Sequence, residues 1–197
     1  MKVFGIGLNK TGTSSLGSAL QILGYQKRIT FDPDLTRSWY NKDYKTLYRA
    51  ADQNDCFEDW PWPMIYKELY EKYSDAKFIL TTRISSEKWF NSLLKHSLRG
   101  QSTEFRKMVY GYDWPNEDKE AHIKFYEKHN REVIEFFNMN APEKLLTVCW
   151  EKGEGWNELC NFLEKPIPAI EFPTLNPSGS YLYMKLKQIT KKLIKRK

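Results

Sequence analysis

A stretch near the start of the chain, Gly7-Leu8-Asn9-Lys10-Thr11-Gly12-Thr13-Ser14-Ser15, has the composition of an anion cradle. Two glycines five residues apart let the backbone curl so that several N–H groups face inward. A helix that follows would aim its positive N-terminal end at the same point, and the hydroxyls of Thr11, Thr13, Ser14 and Ser15 would add donors. Lys10 is the one formal charge in the loop. The bland alternative is a Gly/Thr/Ser helix cap with a solvated lysine. A second cation, Arg83, ends the apolar run Phe78-Ile79-Leu80-Thr81-Thr82 and precedes Ser85-Ser86-Glu87-Lys88-Trp89, a helix start. An arginine there suits bidentate capture of a phosphate, or caps a neighbouring helix at the surface.

The loop narrows the choice of anion. A nucleoside-triphosphate loop of the Walker A type needs a lysine directly after its second glycine and a hydroxyl for magnesium. Thr13 stands in that lysine's place, and Lys10 lies two residues before Gly12. A triphosphate–magnesium site would lack its main point charge. A nucleotide kinase of the P-loop-like kind therefore stays only as a rival reading, beside a non-catalytic protein that binds nucleotide or membrane.

The elements that must hold these groups alternate. Residues 3–7 read as a buried strand and residues 14–24 as a helix, with Leu16, Leu20 and Leu23 on one face and a glycine stop. A short strand is expected at 55–57, a helix at 63–73, an interior strand at 77–82 and a helix at 86–97. A long helix from about 117 to 137, a strand at 145–149 and a helix at 156–163 complete the series. This order predicts an α/β fold, a three-layer parallel sheet flanked by helices, in one domain over residues 1–178. Such sheets bind ligands at the carboxyl ends of their strands, where the loop and Arg83 both fall.

At these residues the sequence resembles the sulfotransferase family, whose donor loop reads Lys-x-Gly-Thr-[Ser/Thr], matched by Lys10-Thr11-Gly12-Thr13-Ser14. Further blocks resemble a small, poorly characterised branch of it. These include Phe57-Glu58-Asp59-Trp60-Pro61, the run through Arg83 to Lys88-Trp89, and Gly155-Trp156 through Phe172-Pro173 to Asn176. The resemblance implies a P-loop nucleoside-triphosphate-hydrolase-like fold of the sulfotransferase type. It also implies the donor 3′-phosphoadenosine 5′-phosphosulfate (PAPS), the product adenosine 3′,5′-bisphosphate (PAP) and no required metal. Lys10, Thr11, Gly12, Thr13, Ser14 and Ser15 would hold the phosphosulfate. Arg83 and a serine in the next helix would hold the 3′-phosphate. The family's spacing of eight falls on Asn91, with Ser92 one residue further, and Ser92 is favoured.

Transfer to a hydroxyl or amine also needs a general base. Asp59 follows the short strand, and Trp60 and Trp62 would desolvate it and raise its pKa into a useful range. The same aspartate before Trp-Pro-Trp-Pro would make a good turn former or cap. His96 is the second candidate, because the family often uses histidine on small acceptors; at a helix end it would equally complement the dipole. His122 and His129, seven apart, read as part of a solvated face, and Glu58 is expected to point away from Asp59. Residues 99–118 would form a lid or pack on the core, and Trp39, Tyr40 and Tyr44 would stack on a base or pack at the surface. The acceptor itself, a small molecule, lipid or saccharide, is not specified.

The 31 basic and 25 acidic residues give a net charge of +6, but the surplus is local. Seven basic and no acidic residues lie in 181–197, leaving 24 basic against 25 acidic elsewhere. A near-neutral body argues against a nucleic-acid partner. Residues 179–197 read as a basic amphipathic C-terminal helix or tail, with Leu182, Leu186, Ile189 and Leu193 in one stripe. It suits an anionic membrane surface, or docking on its own domain. Cys56, Cys149 and Cys160 match no zinc spacing and read as buried reduced thiols. With no long apolar run, a cytoplasmic protein is expected, peripheral at a membrane if the tail binds one.

Overall fold

The computed structural model describes residues 1–99 and 104–174. In chain order these form β1 (Val3–Gly5), α1 (Thr13–Ile22), β2 (Arg28–Ile29), α2 (Pro33–Tyr40), α3 (Tyr44–Asp52) and β3 (Cys56–Phe57). A 3-10 turn, Trp62–Ile65, runs into α4 (Tyr66–Lys72), then β4 (Lys77–Thr81), α5 (Ser86–Ser97) and α6 (Glu104–Tyr110). A turn at Pro115–Glu117 precedes α7 (Lys119–Asn140), and a turn at Pro142–Lys144 precedes β5 (Leu145–Val148). The turn Trp150–Lys152 and α8 (Trp156–Leu163) follow.

All five strands are parallel, in the order β2-β3-β1-β4-β5. From β1 the chain leaves toward β2 and β3, and then crosses to β4 on the other side. The reversal opens a crevice between the ends of β1 and β4, the usual ligand position in open α/β sheets. Side chains alternate across the sheet. Val3, Cys56 and Ile79 pack under α1 and α8 with Leu16, Leu20 and Leu159. Phe4, Phe57, Phe78 and Leu80 face the opposite layer with Trp62, Leu69, Val133 and Phe137. A third cluster, Leu8, Trp60, Trp89, Phe90, Tyr110 and Tyr126, covers the carboxyl edge of the sheet. The three-layer expectation is met.

Several boundaries differ for local reasons. β1 stops at Gly5 because the chain then turns against β4, where a Cβ on Gly7 would collide with Thr81. The helix expected at 63–73 divides, since Pro61 and Pro63 offer no N–H to an α-helical ladder. The long helix starts at Lys119, capped by Asp118, whose carboxylate accepts from Ala121 N at 2.9 Å. β2 is an addition to the expected series; two half-buried residues at a sheet edge carry no alternation. The three cysteines are buried and unpaired, and burial pushes the Cys56 thiol up to about 12.

The solvated reading of His122 and His129 is wrong. Both lie on the buried stripe of α7 with Tyr126, Val133 and Phe137. His129 Nε2 bonds Ile6 O at 2.8 Å, and burial lowers its pKa, so the neutral ring serves as a donor to the end of β1. His122 packs among Phe90, Tyr110 and Tyr112 and bonds Asp118 O through Nδ1. No helix among the described residues is long and apolar enough to cross a membrane. The tail assigned to 179–197 lies outside the described residues.

Candidate active site

The loop after β1 is built as an open cradle. Lys10 and Gly12 take left-handed backbone, with φ of 69° and 95°. Left-handed residues set into a turn allow neighbouring N–H groups to gather around an anion. Among the described residues, the N–H groups of Lys10, Gly12, Thr13 and Ser14 donate to no protein acceptor, and no side chain caps α1. Three of these, at Gly12, Thr13 and Ser14, are the first donors of a ten-residue helix, where no intrahelical acceptor exists. Thr11 acts differently. Its hydroxyl donates to Leu8 O at 2.6 Å and lies 2.6 Å from Thr81 Oγ1, which pins the loop to β4. Thr13 and Ser15 are buried and Ser14 half-exposed.

Positive charge converges on this cradle from three elements. Desolvation, then the charges of Arg99 and Arg83, hold the Lys10 ammonium below the usual lysine range, while Asp59 pulls the other way. His96 is exposed along the last turn of α5, yet desolvation and the charges of Lys10, Arg99 and Arg106 bring its imidazole down to about 4. It is neutral near pH 7, so it does not complement the helix dipole as a cation. Positive charge beside a helix N-terminus draws an anion to it.

Arg83 leaves the end of β4 with its backbone N–H donating to Tyr126 Oη at 2.9 Å. Its Nη2 pairs with Glu151 Oε1 at 2.9 Å, while Nε is buried with no partner. Ser85 caps α5, accepting from Lys88 N at 3.2 Å, and so places the helix directly beyond Arg83. Asn91 lies on the exposed face of that helix. Ser92 is half-buried, one turn before His96 on the same helix.

Asp59 follows β3 with φ of 65°, and its Oδ1 accepts from Trp60 N at 2.8 Å. That bond is the turn-forming role open to any such aspartate. Oδ2 makes no hydrogen bond among the described residues, and Trp60 and Trp62 beside it are buried. Burial raises the Asp59 carboxyl above its ordinary range, opposed by the Trp60 N–H and by Lys10. Glu58 points the other way, as expected. Its carboxylate is buried in an ion pair with Arg28 and accepts from Gly17 N at 3.0 Å, tying β3 to α1.

Sequence reasoning missed the groups that clamp the loop. Asn9 is held on two sides: Trp89 Nε1 donates to its carbonyl at 2.9 Å and Tyr110 Oη to its Oδ1 at 2.6 Å. Tyr110 comes from α6, so part of the 99–118 segment covers the carboxyl edge; residues 100–103 lie outside the described residues. A third aromatic residue borders the loop. It is Trp150, whose Nε1 donates to Gly12 O at 3.3 Å and whose Cδ1 would lie 2.5 Å from a Cβ at Gly12. Tyr40 is exposed, Tyr44 donates to Glu68, and Trp39 packs between two core clusters. The end of β5 was the signal, since loops there must border the same crevice as those after β1 and β4.

The donor set fits a phosphorylated anion: free backbone N–H groups, Lys10 and Arg83. Comparison with known proteins agrees. A family described as a sulfotransferase domain matches residues 2–181. The chain is also similar to the protein named "Ava biosynthesis cluster protein M" from Aspergillus versicolor, with 27% identity over 213 residues, covering 88% of this chain and 80% of that one.

Proposed function

Given that the chain belongs to the sulfotransferase domain family, a family of enzymes, we propose that it moves a sulfuryl group from PAPS to a hydroxyl or amine by in-line displacement. One observation supports this reading: at the start of α1 the N–H groups of Lys10, Gly12, Thr13 and Ser14 have no acceptor among the described residues, beside the Lys10 ammonium. Such a site accommodates one terminal anion on a nucleotide and offers no lysine for a third phosphate.

When bound, PAPS supplies an activated sulfuryl group on a 5′-phosphate. The loop N–H groups and Lys10 hold that 5′ end, and Lys10 stabilises the negative charge that develops on the phosphate oxygen as the sulfur–oxygen bond breaks. Arg83, with Ser92 of α5, holds the 3′-phosphate. Asp59, through its unbonded Oδ2, takes the proton of the acceptor hydroxyl or amine as the new bond to sulfur forms. Its raised pKa makes it a stronger base than a solvated aspartate. His96, neutral at working pH, is the other candidate base, in the field of Lys10. The Aspergillus relative is named for a biosynthesis cluster, which favours a small-molecule acceptor.

Calorimetry with PAP and with ATP–magnesium tests the reading. Micromolar-class binding of PAP, tighter than ATP–magnesium, is expected. Tighter binding of ATP–magnesium would turn the assignment toward a kinase. Binding of PAP without turnover on a broad panel of hydroxyl and amine acceptors would favour a non-catalytic nucleotide-binding protein.

A further inference from the structure

One acidic side chain ties the candidate 3′-phosphate site together. Glu151 stands on the turn Trp150–Lys152 after β5. Its Oε2 accepts from the backbone N–H of Ile84 at 3.1 Å, which anchors the carboxylate to the chain beyond β4. Its Oε1 receives two cations at once, Arg83 Nη2 at 2.9 Å and Lys88 Nζ at 3.4 Å. Arg83 and Lys88 come from the strand end and the first turn of α5, and both are long, flexible side chains of like charge. Without the shared carboxylate they would repel and disperse.

We propose that Glu151 is a positioning residue that draws Arg83 and Lys88 onto one carboxylate oxygen and so assembles them into the receptor for the donor's 3′-phosphate. Lys88 becomes a second cation of that receptor. The inference rests on the sulfotransferase reading. The charges leave room for the ligand: two cations against one carboxylate keep a net positive charge, and Arg83 Nε, buried with no partner, remains to donate. Glu151 is itself only partly buried, at 24% exposed, so a ligand beside it is not shut out by packing. A dianionic phosphate that meets two pre-aimed cations avoids the ordering cost of recruiting them.

The test compares two nucleotides on the full chain by calorimetry: PAP, and adenosine 5′-monophosphate, which lacks the 3′-phosphate. In the unsubstituted chain PAP should bind markedly more tightly. Glu151→Gln should weaken PAP by about 10-fold while leaving the monophosphate within about twofold, and Glu151→Asp should recover part of the loss. Equal weakening of both ligands would assign Glu151 a merely structural role and overturn the inference. So would an unchanged preference in Glu151→Gln, or tighter PAP binding, which would make Glu151 a competitor of the phosphate. A chain that shows no preference for PAP before substitution would overturn the donor-site reading itself, and this inference with it.

Discussion

Tyr110 donates its hydroxyl proton to Asn9 Oδ1 at 2.6 Å, and through that bond α6 is joined to the loop after β1. Both partners are buried, and burial pushes the phenol well above its usual range, so it stays a proton donor at every working pH. The ring also packs edge-on to Trp60, Trp89 and Phe125, which keeps the aromatic cover over the carboxyl edge of the sheet.

Tyr110→Phe should keep that packing and lose only the bond. Asn9 Oδ1 would then be buried without a partner, at a cost of about 1–3 kcal/mol. Urea denaturation should show this loss, and PAP titration a weakening of a few fold as the loop relaxes. Unchanged stability together with unchanged affinity would mean the clamp does not shape the loop.

Lys10→Ala should lower the transfer rate by about 100-fold or more, the usual effect of removing one charge stabiliser from a leaving group. The fold should survive, since Lys10 makes no ion pair or hydrogen bond within the described residues. Circular dichroism and thermal melting check the second point, and single-turnover kinetics the first. A rate within about threefold of the parent would remove Lys10 from the mechanism.

Asp59→Asn should abolish transfer, leave PAP binding intact, and stabilise the protein. The sign follows from the raised carboxyl pKa. The native state holds that proton more tightly than the unfolded chain does. Stability from this group is therefore present below the unfolded pKa and lost as pH rises through the folded one. The amide keeps the acceptor for Trp60 N and carries no charge to desolvate. At neutral pH the melting temperature should rise by about 2–4 °C; a fall would contradict the burial argument. In the parent enzyme, activity should climb with pH through the same raised pKa.

His96→Gln should flatten the acid limb of the stability profile. The folded His96 is lowered from 6.5 to about 4, so the unfolded chain binds its proton first as pH falls. Stability is complete above about 6.5 and is lost progressively toward 4. Saturation with PAP should move the imidazole back upward, because the bound phosphates offset Lys10 and Arg99. Histidine proton resonances followed against pH, with and without PAP, measure both effects. An imidazole titrating near 6.5 in the free protein would contradict the cation cluster.

Much of the fold and of the loop is legible in residue order alone. Apolar runs at 3–7, 77–82 and 145–149 mark strands, and Gly7 and Gly12 mark a loop where the backbone must turn sharply. Glu58 turns to Arg28 and Gly17 while Asp59, in a left-handed turn just beyond β3, bonds Trp60 N. The misreadings share a cause. His122 and His129 look solvated because their side chains are polar, yet their spacing with Tyr126, Val133 and Phe137 is that of a buried stripe. Spacing reports the face of a helix, and residue type does not override it when a backbone carbonyl such as Ile6 O waits at the other end.

By itself, the sequence determined the strand–helix alternation, the turn of the glycine loop after β1 and the displaced lysine that sets it apart from a triphosphate loop. These depend on backbone conformations and hydrogen-bonding patterns that reach only a few residues along the chain. The tertiary structure alone decided that Lys10 lies in the field of Arg83 and Arg99, that Trp150 lies on Gly12, and that Glu151 joins Arg83 to Lys88. Coulomb interactions and packing act through space. The parallel crossovers that bring the ends of β1, β4 and β5 side by side leave no periodic trace in the residues they unite.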